Sequence, residues 1–343
     1  MKNLNLLNKL IFLINSALAL LLLLSFGLSY VPPKSYALMS IFSLSVPLLI
    51  VLNILFLIYW LIKLKKQFIL SLLVLATGYN QVLSFYKFPS ESVSKSENTF
   101  SIMSYNVRLF NLYNWIDDET IPIKIQEFIN KESPHILCFQ EYNSSMNLDF
   151  KAYSYKHQTN YSNNNKSELA ILSTHNILNS GYIDFPNSAN SAIFADILVK
   201  SDTLRVYNVH LQSTGIDPNM NVESLDSEQS NKLLNRLGAT FKAQQYQAEL
   251  VAQHVSKSPY KVLICGDFNN TAHSYAYRVL KGDLIDAFQT SGTGFGSTFN
   301  FKYFPVRIDF ILADQSLLST NFKNYNIPYS DHFPLLSEFS LYK

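Results

Sequence analysis

Polar side chains suited to catalysis stand at or near the ends of apolar, strand-like runs after residue 99. They are two asparagines, four carboxylates and two histidines: Asn106, Glu141, His210, Asp267, Asn269, Asp309, Asp331 and His332. Carboxylate and amide oxygens suit Mg²⁺ or Mn²⁺, and a histidine beside an acid can move protons. Strand ends are rigid positions that can hold such groups in a fixed geometry. The pattern therefore predicts a site for metal-assisted or acid–base chemistry.

Taken singly, most of these residues also have a purely structural explanation. Asn106 could cap a turn, and His210 could be a hydrogen-bonded core histidine. Asp309 differs, because in RIDFIL it has apolar neighbours and a buried charge is costly without a partner. In GDFN, Gly266 would permit a tight turn that projects Asp267 from the end of an apolar strand. The prediction of a site therefore depends on the whole set.

The elements that must position these residues alternate between strand-like and helix-like patterns. Short apolar runs predict strands at 100–107, 135–140, 169–173, 192–199, 204–211, 261–265, 306–314 and 332–341. Helical spacing of apolar residues predicts a helix that begins at Ile123 and a long one between Glu223 and Val255. We expect residues 99–343 to form one α/β domain of two packed β-sheets flanked by helices.

The first 86 residues have a different composition and resemble a membrane region. They contain six lysines and no Asp, Glu or Arg. Uninterrupted apolar runs at 11–31 and 37–62 are long enough to cross a bilayer. A third run, 68–86, is interrupted by Gly78-Tyr79-Asn80-Gln81. We expect two to three transmembrane helices in 1–86, and a polar, serine-rich linker over 87–98.

The lysines predict the orientation, since cytoplasmic loops collect Lys and Arg. Lys2 and Lys9 place the N-terminus inside, and Lys63, Lys65 and Lys66 place the second turn inside. A third crossing would carry the remaining chain to the extracytoplasmic side, which is the periplasm in a bacterium. If the third segment only lies in the interface, the domain stays cytoplasmic. The expected localisation is a multi-pass membrane protein with an extracytoplasmic catalytic domain.

The motifs SYNV, QE, NVHL, GDFN and SDH, with the RID strand, occur in an order that resembles the endonuclease/exonuclease/phosphatase superfamily. This superfamily includes deoxyribonuclease I-like nucleases, neutral sphingomyelinases and inositol polyphosphate 5-phosphatases. The resemblance covers roughly residues 99–343 and implies a four-layer sandwich of the deoxyribonuclease I type. An N-terminal hydrophobic region before such a domain is similar to uncharacterised bacterial membrane-anchored members.

The resemblance also implies a role for each matching residue in metal-assisted, in-line attack of water on phosphorus. Mg²⁺ or Mn²⁺ would be held by Asn106, Glu141 and Asp331. The implied catalytic residues are Asp267, Asn269, His210, Asp309 and His332. Asp267 would orient or deprotonate the water, and Asp309 would fix the ring of His332. Asn208 and Arg108 are weaker candidates for substrate binding, since Asn208 resembles a supporting position and Arg108 could belong only to a loop.

The implied activity is that of a phosphodiesterase or phosphatase, with an endonuclease also open. Residues 87–343 hold 21 basic and 25 acidic residues, a net charge of −4, which disfavours a nucleic-acid grip. A lipid headgroup, a nucleotide or an extracytoplasmic nucleic acid remains open as substrate, with the lipid bilayer as the other partner and no protein partner implied. The alternative is a catalytically silent binding or scaffolding domain. A transport or sensor role for residues 1–86 is disfavoured, because the spans carry no charge.

Overall fold

Two mixed six-stranded β-sheets form the centre of the C-terminal region in the computed structural model, which describes residues 4–89, 99–159, 167–217, 220 and 224–341. The first sheet has the order β11 (Leu317–Asn324), β12 (Leu335–Leu341), β1 (Thr99–Asn106), β2 (Ile136–Tyr142), β4 (Glu168–Ser173), β3 (Tyr155–Gln158). The second has the order β5 (Ile177–Asp184), β6 (Ser191–Val199), β7 (Asp202–His210), β8 (Lys261–Asp267), β10 (Asp309–Ala313), β9 (Ile285–Asp286).

One parallel strand pair lies near the centre of each sheet, and these pairs locate the candidate residues. β1 runs parallel to β2, and β7 runs parallel to β8. Because parallel strands end at the same edge of a sheet, Asn106 lies near Glu141 and His210 lies beside Asp267. β10 is antiparallel to β8, and its first residue, Asp309, pairs with Asp267. The topology thus brings distant parts of the sequence to one edge.

Three apolar clusters build the layers of this domain. The inner faces of the two sheets meet through fully buried residues such as Ile102, Cys138 and Ile193. The outer face of the first sheet is covered by α6 (Ile121–Glu132), whose buried isoleucines recur every four residues. The outer face of the second is covered by α7 (Ser227–Val255) and α8 (Tyr275–Lys281). The predicted layers of helix, sheet, sheet and helix are confirmed.

The structure refines several predicted elements. The strand predicted over 204–211 begins at Asp202, and the helix predicted from Ile123 begins at Ile121. The strand predicted over 306–314 is shorter, Asp309–Ala313, so Asp309 stands at its start. The short helix α9 (Ala287–Ser291) and the strands β3, β5, β9 and β11 were not predicted.

The N-terminal region is helical and apolar, as predicted. It consists of α1 (Leu6–Ser25), α2 (Ala37–Ile41), α3 (Val46–Ile62), α4 (Phe68–Thr77) and α5 (Tyr79–Phe85). Two stretches, Leu6–Tyr30 and Ala37–Ile62, are long and apolar enough to cross a membrane. The weaker third segment is bent by 82° between α4 and α5, where the sequence has Gly78. The number of candidate spans is therefore two, or three if the bent pair counts as one.

Buried polar side chains join three of these apolar helices. Asn15 of α1 donates to Ser71 of α4 at 2.8 Å and accepts from the Trp60 indole of α3 at 3.0 Å. Ser71 in turn donates to Asn53 of α3 at 3.3 Å. All four residues are fully buried, so unpaired amides here would be costly. The network favours one fixed packing of α1, α3 and α4.

Candidate active site

Asp267 lies at the centre of the polar groups gathered at the sheet edge. Its Oδ2 accepts hydrogen bonds from the side-chain amides of Asn106 and Asn269, each at 3.1 Å. Its Oδ1 accepts from the backbone N–H of Asn269 at 2.8 Å. The side chain is only 1% exposed, and these three donors hold both oxygens in place. The carboxylate is therefore fixed before any substrate arrives.

Gly266 allows the strand that carries Asp267 to lie close to its neighbour. Its φ is +144°, and a Cβ atom there would lie 1.9 Å from the carbonyl oxygen of Val209 on β7. The glycine is inside β8 rather than in a tight turn, which corrects the expectation from GDFN. Its role is close backbone approach between β7 and β8.

A histidine–aspartate pair stands beside Asp267. Nδ1 of His332 lies 3.0 and 3.2 Å from the two carboxylate oxygens of Asp309, and its Nε2 lies 3.7 Å from Oδ2 of Asp267. Burial alone would lower the pKa of His332, but the two carboxylates overcome this and raise it well above its ordinary value. The two carboxylates therefore favour the protonated, cationic form of the ring. Its proton on Nδ1 points to Asp309, and Nε2 faces the site.

The second histidine, His210, favours the neutral form. It is buried at the end of β7, and burial lowers its pKa, which favours the neutral ring. Its Nε2 lies 3.6 Å from Asp267 and 4.0 Å from Glu141. Within the described part of the chain this nitrogen has no hydrogen-bond partner. A buried, unpartnered nitrogen aimed at the acids is free to contact a bound group.

Glu141 reaches the site from an irregular position in β2. Its φ is +49°, and the pairing of β2 with β4 shifts register between Phe139 and Tyr142. Such a bulge turns a side chain out of the regular strand alternation, and a strained backbone of this kind is common at functional sites. The carboxylate accepts from Asn106 at 3.3 Å, and its side chain keeps 29% exposure. Of the four carboxylates in the group it is the most exposed, although most of its side chain is covered.

The electrostatics of this group fit a bound cation. Burial raises the pKa of Glu141, and burial together with the charge of Asp309 raises the pKa of Asp267 to about 6. A raised pKa means that the surrounding protein does not fully stabilise the negative charge of these two carboxylates. Oxygen-rich donors suit a hard divalent ion. Ligand atoms of Asp267, Asp309 and His332 lie within 4.8 Å of one another and could hold a metal ion.

This trio differs from the predicted metal ligands Asn106, Glu141 and Asp331. Both oxygens of Asp309 already face the ring of His332, so metal binding there would compete with the ion pair. Among the described residues, no cation lies within hydrogen-bond distance of Glu141, and its partner Asn106 also contacts Asp267. Asn106 therefore links the carboxylates of Glu141 and Asp267.

Asp331 and Arg108 are engaged with each other at the rim of the site. Nη1 of Arg108 lies 3.3 Å from Asp331, and its guanidinium lies over the ring of Trp115 at 4.6 Å. Its backbone N–H donates to Asn106 Oδ1 at 3.1 Å. Arg108 therefore has structural partners on three sides, while Asp331 lines the cavity above Asp267.

Asn208 lies below the site and joins the two sheets. It is fully buried, and its amide donates to the carbonyl oxygens of Phe139 at 2.7 Å and Ala170 at 3.0 Å. Its oxygen accepts from Gln140 at 2.7 Å. Every atom of the amide is used, so the structure gives Asn208 a supporting place instead of the expected contact with substrate.

Two residues without a predicted role in the site hold it together. Ser330 donates to the backbone oxygen of Asn106 at 2.9 Å and accepts from the N–H of His332 at 3.2 Å. The hydroxyl of Thr298 accepts from the N–H groups of Ile308 at 2.9 Å and Asp309 at 3.0 Å. Ser330 stands in the quoted motif SDH, where its small hydroxyl side chain beside Asp331 was the available signal, whereas Thr298 lies between Ser297 and Phe299 and had no such signal.

The family of the chain is settled by its sequence between residues 103 and 332, which matches the model of the endonuclease/exonuclease/phosphatase family. The chain belongs to this family. The match spans all eight residues of the predicted site. Residues 8–85 match a domain of unknown function (DUF8431), which covers the apolar helices. No curated protein matches the chain at a significant level.

Solved structures with the same fold include several members of this family. A Bacteroides vulgatus endonuclease/exonuclease/phosphatase is 17% identical, with a TM-score of 0.54 over 72% of this chain and 100% of that one. Danio rerio TDP2 complexed with single-strand DNA product is 16% identical, with a TM-score of 0.53 over 71% of this chain and 99% of that one. A functionally unknown conserved protein of Enterococcus faecalis V583 is 20% identical, with a TM-score of 0.51 over 71% of this chain and 100% of that one. These likenesses show the fold alone.

Proposed function

We propose that the chain is a membrane-anchored, divalent-metal-dependent phosphoester hydrolase. The observation that carries the proposal is the immobilised Asp267 carboxylate, which lies between a cationic and a neutral histidine at the base of an open cavity. A fixed acid, a charged donor and a neutral ring are the groups needed to activate water and stabilise charge on phosphorus. Membership of the endonuclease/exonuclease/phosphatase family supports the same reaction class.

The residues present fit a metal ion beside Asp267. Glu141 and Asp267 would be its principal carboxylates, with Asn106 and Asp331 holding the ion or its water molecules. When bound, Mg²⁺ or Mn²⁺ neutralises charge on the phosphoryl oxygens and lowers the pKa of water. In the same site Asp267 orients the attacking water, and the backbone and side chain of Asn269 keep that carboxylate from rotating.

The two histidines then serve different steps because their charges differ. His332, held cationic by Asp309, donates from Nε2 to an oxygen on phosphorus as negative charge develops there. His210, neutral and unpartnered at Nε2, contacts the phosphate or the leaving oxygen. Asp309 does not touch substrate in this scheme and is a positioning residue. The bond broken is a P–O ester bond, with water as the nucleophile.

The contacts of the apolar region support an extracytoplasmic placement of the domain. The backbone N–H of Lys34, in the turn between α1 and α2, donates to Gln245 of α7 at 2.8 Å. Arg278 of α8 donates to the carbonyl oxygen of Ser29 in the same region at 2.7 Å. This turn therefore lies on the same side as the domain, and the lysine-rich turn after α3 lies at the other end of that helix. By the positive-inside rule that other end faces the cytoplasm.

The topology is tested by fusing alkaline phosphatase, which folds only outside the cytoplasm, at residue 90. We expect an active fusion, and an inactive one would contradict the proposed placement. A fusion at Gln67 in the lysine-rich turn is the matched control and should be inactive.

The activity is tested with the full chain in nanodiscs and bis(p-nitrophenyl) phosphate as substrate. We expect hydrolysis with Mg²⁺ or Mn²⁺, its loss in EDTA, and a loss of at least about a thousandfold in Asp267→Ala and His332→Ala. Asp202→Ala is the matched control, because Asp202 lies at the opposite end of β7 and pairs with Lys261. Activity that survives both site substitutions would refute the assignment. A folded wild-type chain that is inactive with every metal and ester would support the silent alternative.

A further inference from the structure

The cavity above Asp267 has one polar end and one apolar wall. Its volume is about 320 Å³, within the range of roughly 300–1,000 Å³ for small-molecule sites. Glu141, Asp267, Asn269, Asp331 and His332 form the polar end. The wall is formed mainly by aliphatic and aromatic side chains: Leu44, Leu233, Leu237, Phe241, Phe301 and Phe304. A purely polar phosphoester would leave this wall without a partner.

Leu44 is the informative member of the wall, because it belongs to the N-terminal apolar region. It lies in the 3₁₀ turn Phe42–Ser45, inside the candidate span Ala37–Ile62. Its neighbours Leu38 and Phe42 are 64% and 65% exposed and apolar, as expected for side chains that face lipid. Leu44 therefore belongs both to the wall of the cavity and to a segment that would meet a bilayer.

The approach of this apolar segment to the domain is close and specific. A Cβ atom on Gly238 of α7 would lie 3.4 Å from the Cβ of Ala37, so α2 and α7 pack almost backbone to backbone. Leu237, directly before Gly238, and Leu233, one turn earlier in α7, then face the cavity together with Leu44. Gly238 thus lies at the contact between α2 and α7, next to the residues of α7 that form the wall.

We propose that the substrate is an amphiphilic phosphoester taken from the bilayer, with its hydrocarbon chain along this wall and its phosphorus at Asp267. The inference rests on the proposed hydrolase function and selects one substrate class for it. None of the described residues that line the cavity is Lys or Arg, whereas proteins that grip a nucleic-acid backbone present such residues. An alkyl chain needs only the apolar contact that the wall supplies.

The test is a series of alkyl p-nitrophenyl phosphates, in which the ester bond and the leaving group stay constant and the alkyl chain lengthens from methyl to octyl. The full chain is assayed in nanodiscs at substrate concentrations below micelle formation. Each buried methylene group is worth about a fourfold gain in affinity. With only part of the chain on the wall, we expect kcat/KM to rise at least about thirtyfold from methyl to octyl.

Two pairs of variants separate the wall from general effects on folding. Leu44→Gln and Leu233→Gln should lower kcat/KM for the octyl ester about five- to tenfold and leave the methyl ester within about twofold of wild type. Their matched controls are Phe42→Gln and Leu234→Gln, which change exposed apolar neighbours outside the cavity. The controls should keep the full dependence on chain length. The methyl ester reports folding and chemistry in every variant.

The outcomes distinguish this inference from the function on which it rests. Equal kcat/KM along the series would overturn the amphiphilic substrate while leaving the hydrolase intact. Faster cleavage of thymidine 5′-(p-nitrophenyl phosphate) than of the octyl ester, unchanged in Leu44→Gln, would assign the site to nucleotides instead. Failure to cleave any ester with Mg²⁺ or Mn²⁺ would refute the proposed function and the inference with it.

Discussion

Asp309→Asn is the substitution that most directly tests how the site is built. Asp309 is 2% exposed, and both of its oxygens lie within 3.2 Å of Nδ1 of His332. Asparagine has the same shape and can still accept a hydrogen bond from that nitrogen, so the ring keeps its orientation. What disappears is the negative charge that, with Asp267, holds the imidazole as a cation despite burial. The variant therefore separates charge from geometry.

The size of the effect follows from the kind of interaction removed. A hydrogen bond to a charged partner is worth about 1.5–3 kcal/mol and a neutral one about 0.5–1.5 kcal/mol, so loss of the charge alone removes about 1–1.5 kcal/mol. If this energy is gained in the transition state, where His332 faces the developing charge, its loss slows the reaction about 5- to 12-fold. The loss should appear mainly in kcat, because Asp309 does not contact the substrate. His332→Ala should cost more, since it removes the donor itself.

The assay compares kcat, KM and the thermal midpoint for Asp309→Asn and for Asp196→Asn in the same nanodiscs. Asp196 is a matched control, because it is a buried aspartate of the same sheet that pairs with Arg205 at 2.6 and 2.7 Å, away from the site. Both variants break a buried charge pair and should lower the midpoint. Only Asp309→Asn should lower the catalytic rate per folded molecule. Equal rates in the two variants, per folded molecule, would refute the positioning role of Asp309.

Two further predictions concern stability. Gly266→Ala should prevent β7 and β8 from pairing, because its Cβ would meet the carbonyl oxygen of Val209 at 1.9 Å. We expect loss of folded protein in size-exclusion chromatography, whereas the control Gly27→Ala, whose Cβ would meet its nearest neighbour at 3.4 Å, still folds. His273 is buried, and burial lowers its pKa to about 3, so protonation favours unfolding as pH falls below the unfolded value of 6.5. This residue alone should cost about 1.5 kcal/mol between pH 6.5 and 5. His273→Gln should flatten the decline of the thermal midpoint over that interval, and an unchanged slope would contradict the buried neutral ring.

The strands that the sequence predicted are those with a strong apolar pattern, and the missed ones lie mostly at sheet edges. β5 is at the edge of the second sheet, with exposed or partly exposed residues along most of its length. β3 is at the edge of the first sheet and has no buried residue. Edge strands bury little apolar surface, so periodicity does not reveal them. β11, also an edge strand, instead buries hydroxyl groups, such as Ser319, which bonds to Ser291 and Ser337.

The gathering of the site residues was predictable because they end apolar strands, but their pairing was not. Parallel pairing of β7 and β8 and the antiparallel start of β10 decide that Asp309 faces Asp267. The left-handed backbone of Glu141 has no signal in the letters QEY, since a bulge depends on the neighbouring strand. The place of Leu44 in the cavity wall was equally hidden. It stands in a long, largely apolar run without charged residues, and its contact lies about two hundred residues away.

The N-terminal apolar region contacts residues next to the candidate site. Arg307 stands two residues before Asp309 and forms a buried ion pair with Asp286 at 2.8 Å. Its guanidinium also donates to the backbone oxygen of Ser84, at the end of α5, at 3.2 Å. A buried guanidinium that loses one acceptor is destabilised, and the segment that leads into the catalytic strand would be the first affected. The last turn of α5 thus helps to fix the position of Asp309, while Leu44 supplies part of the cavity wall. The apolar helices and the candidate active site are therefore parts of one packed structure, so a change in the last turn of α5 should also affect Asp309.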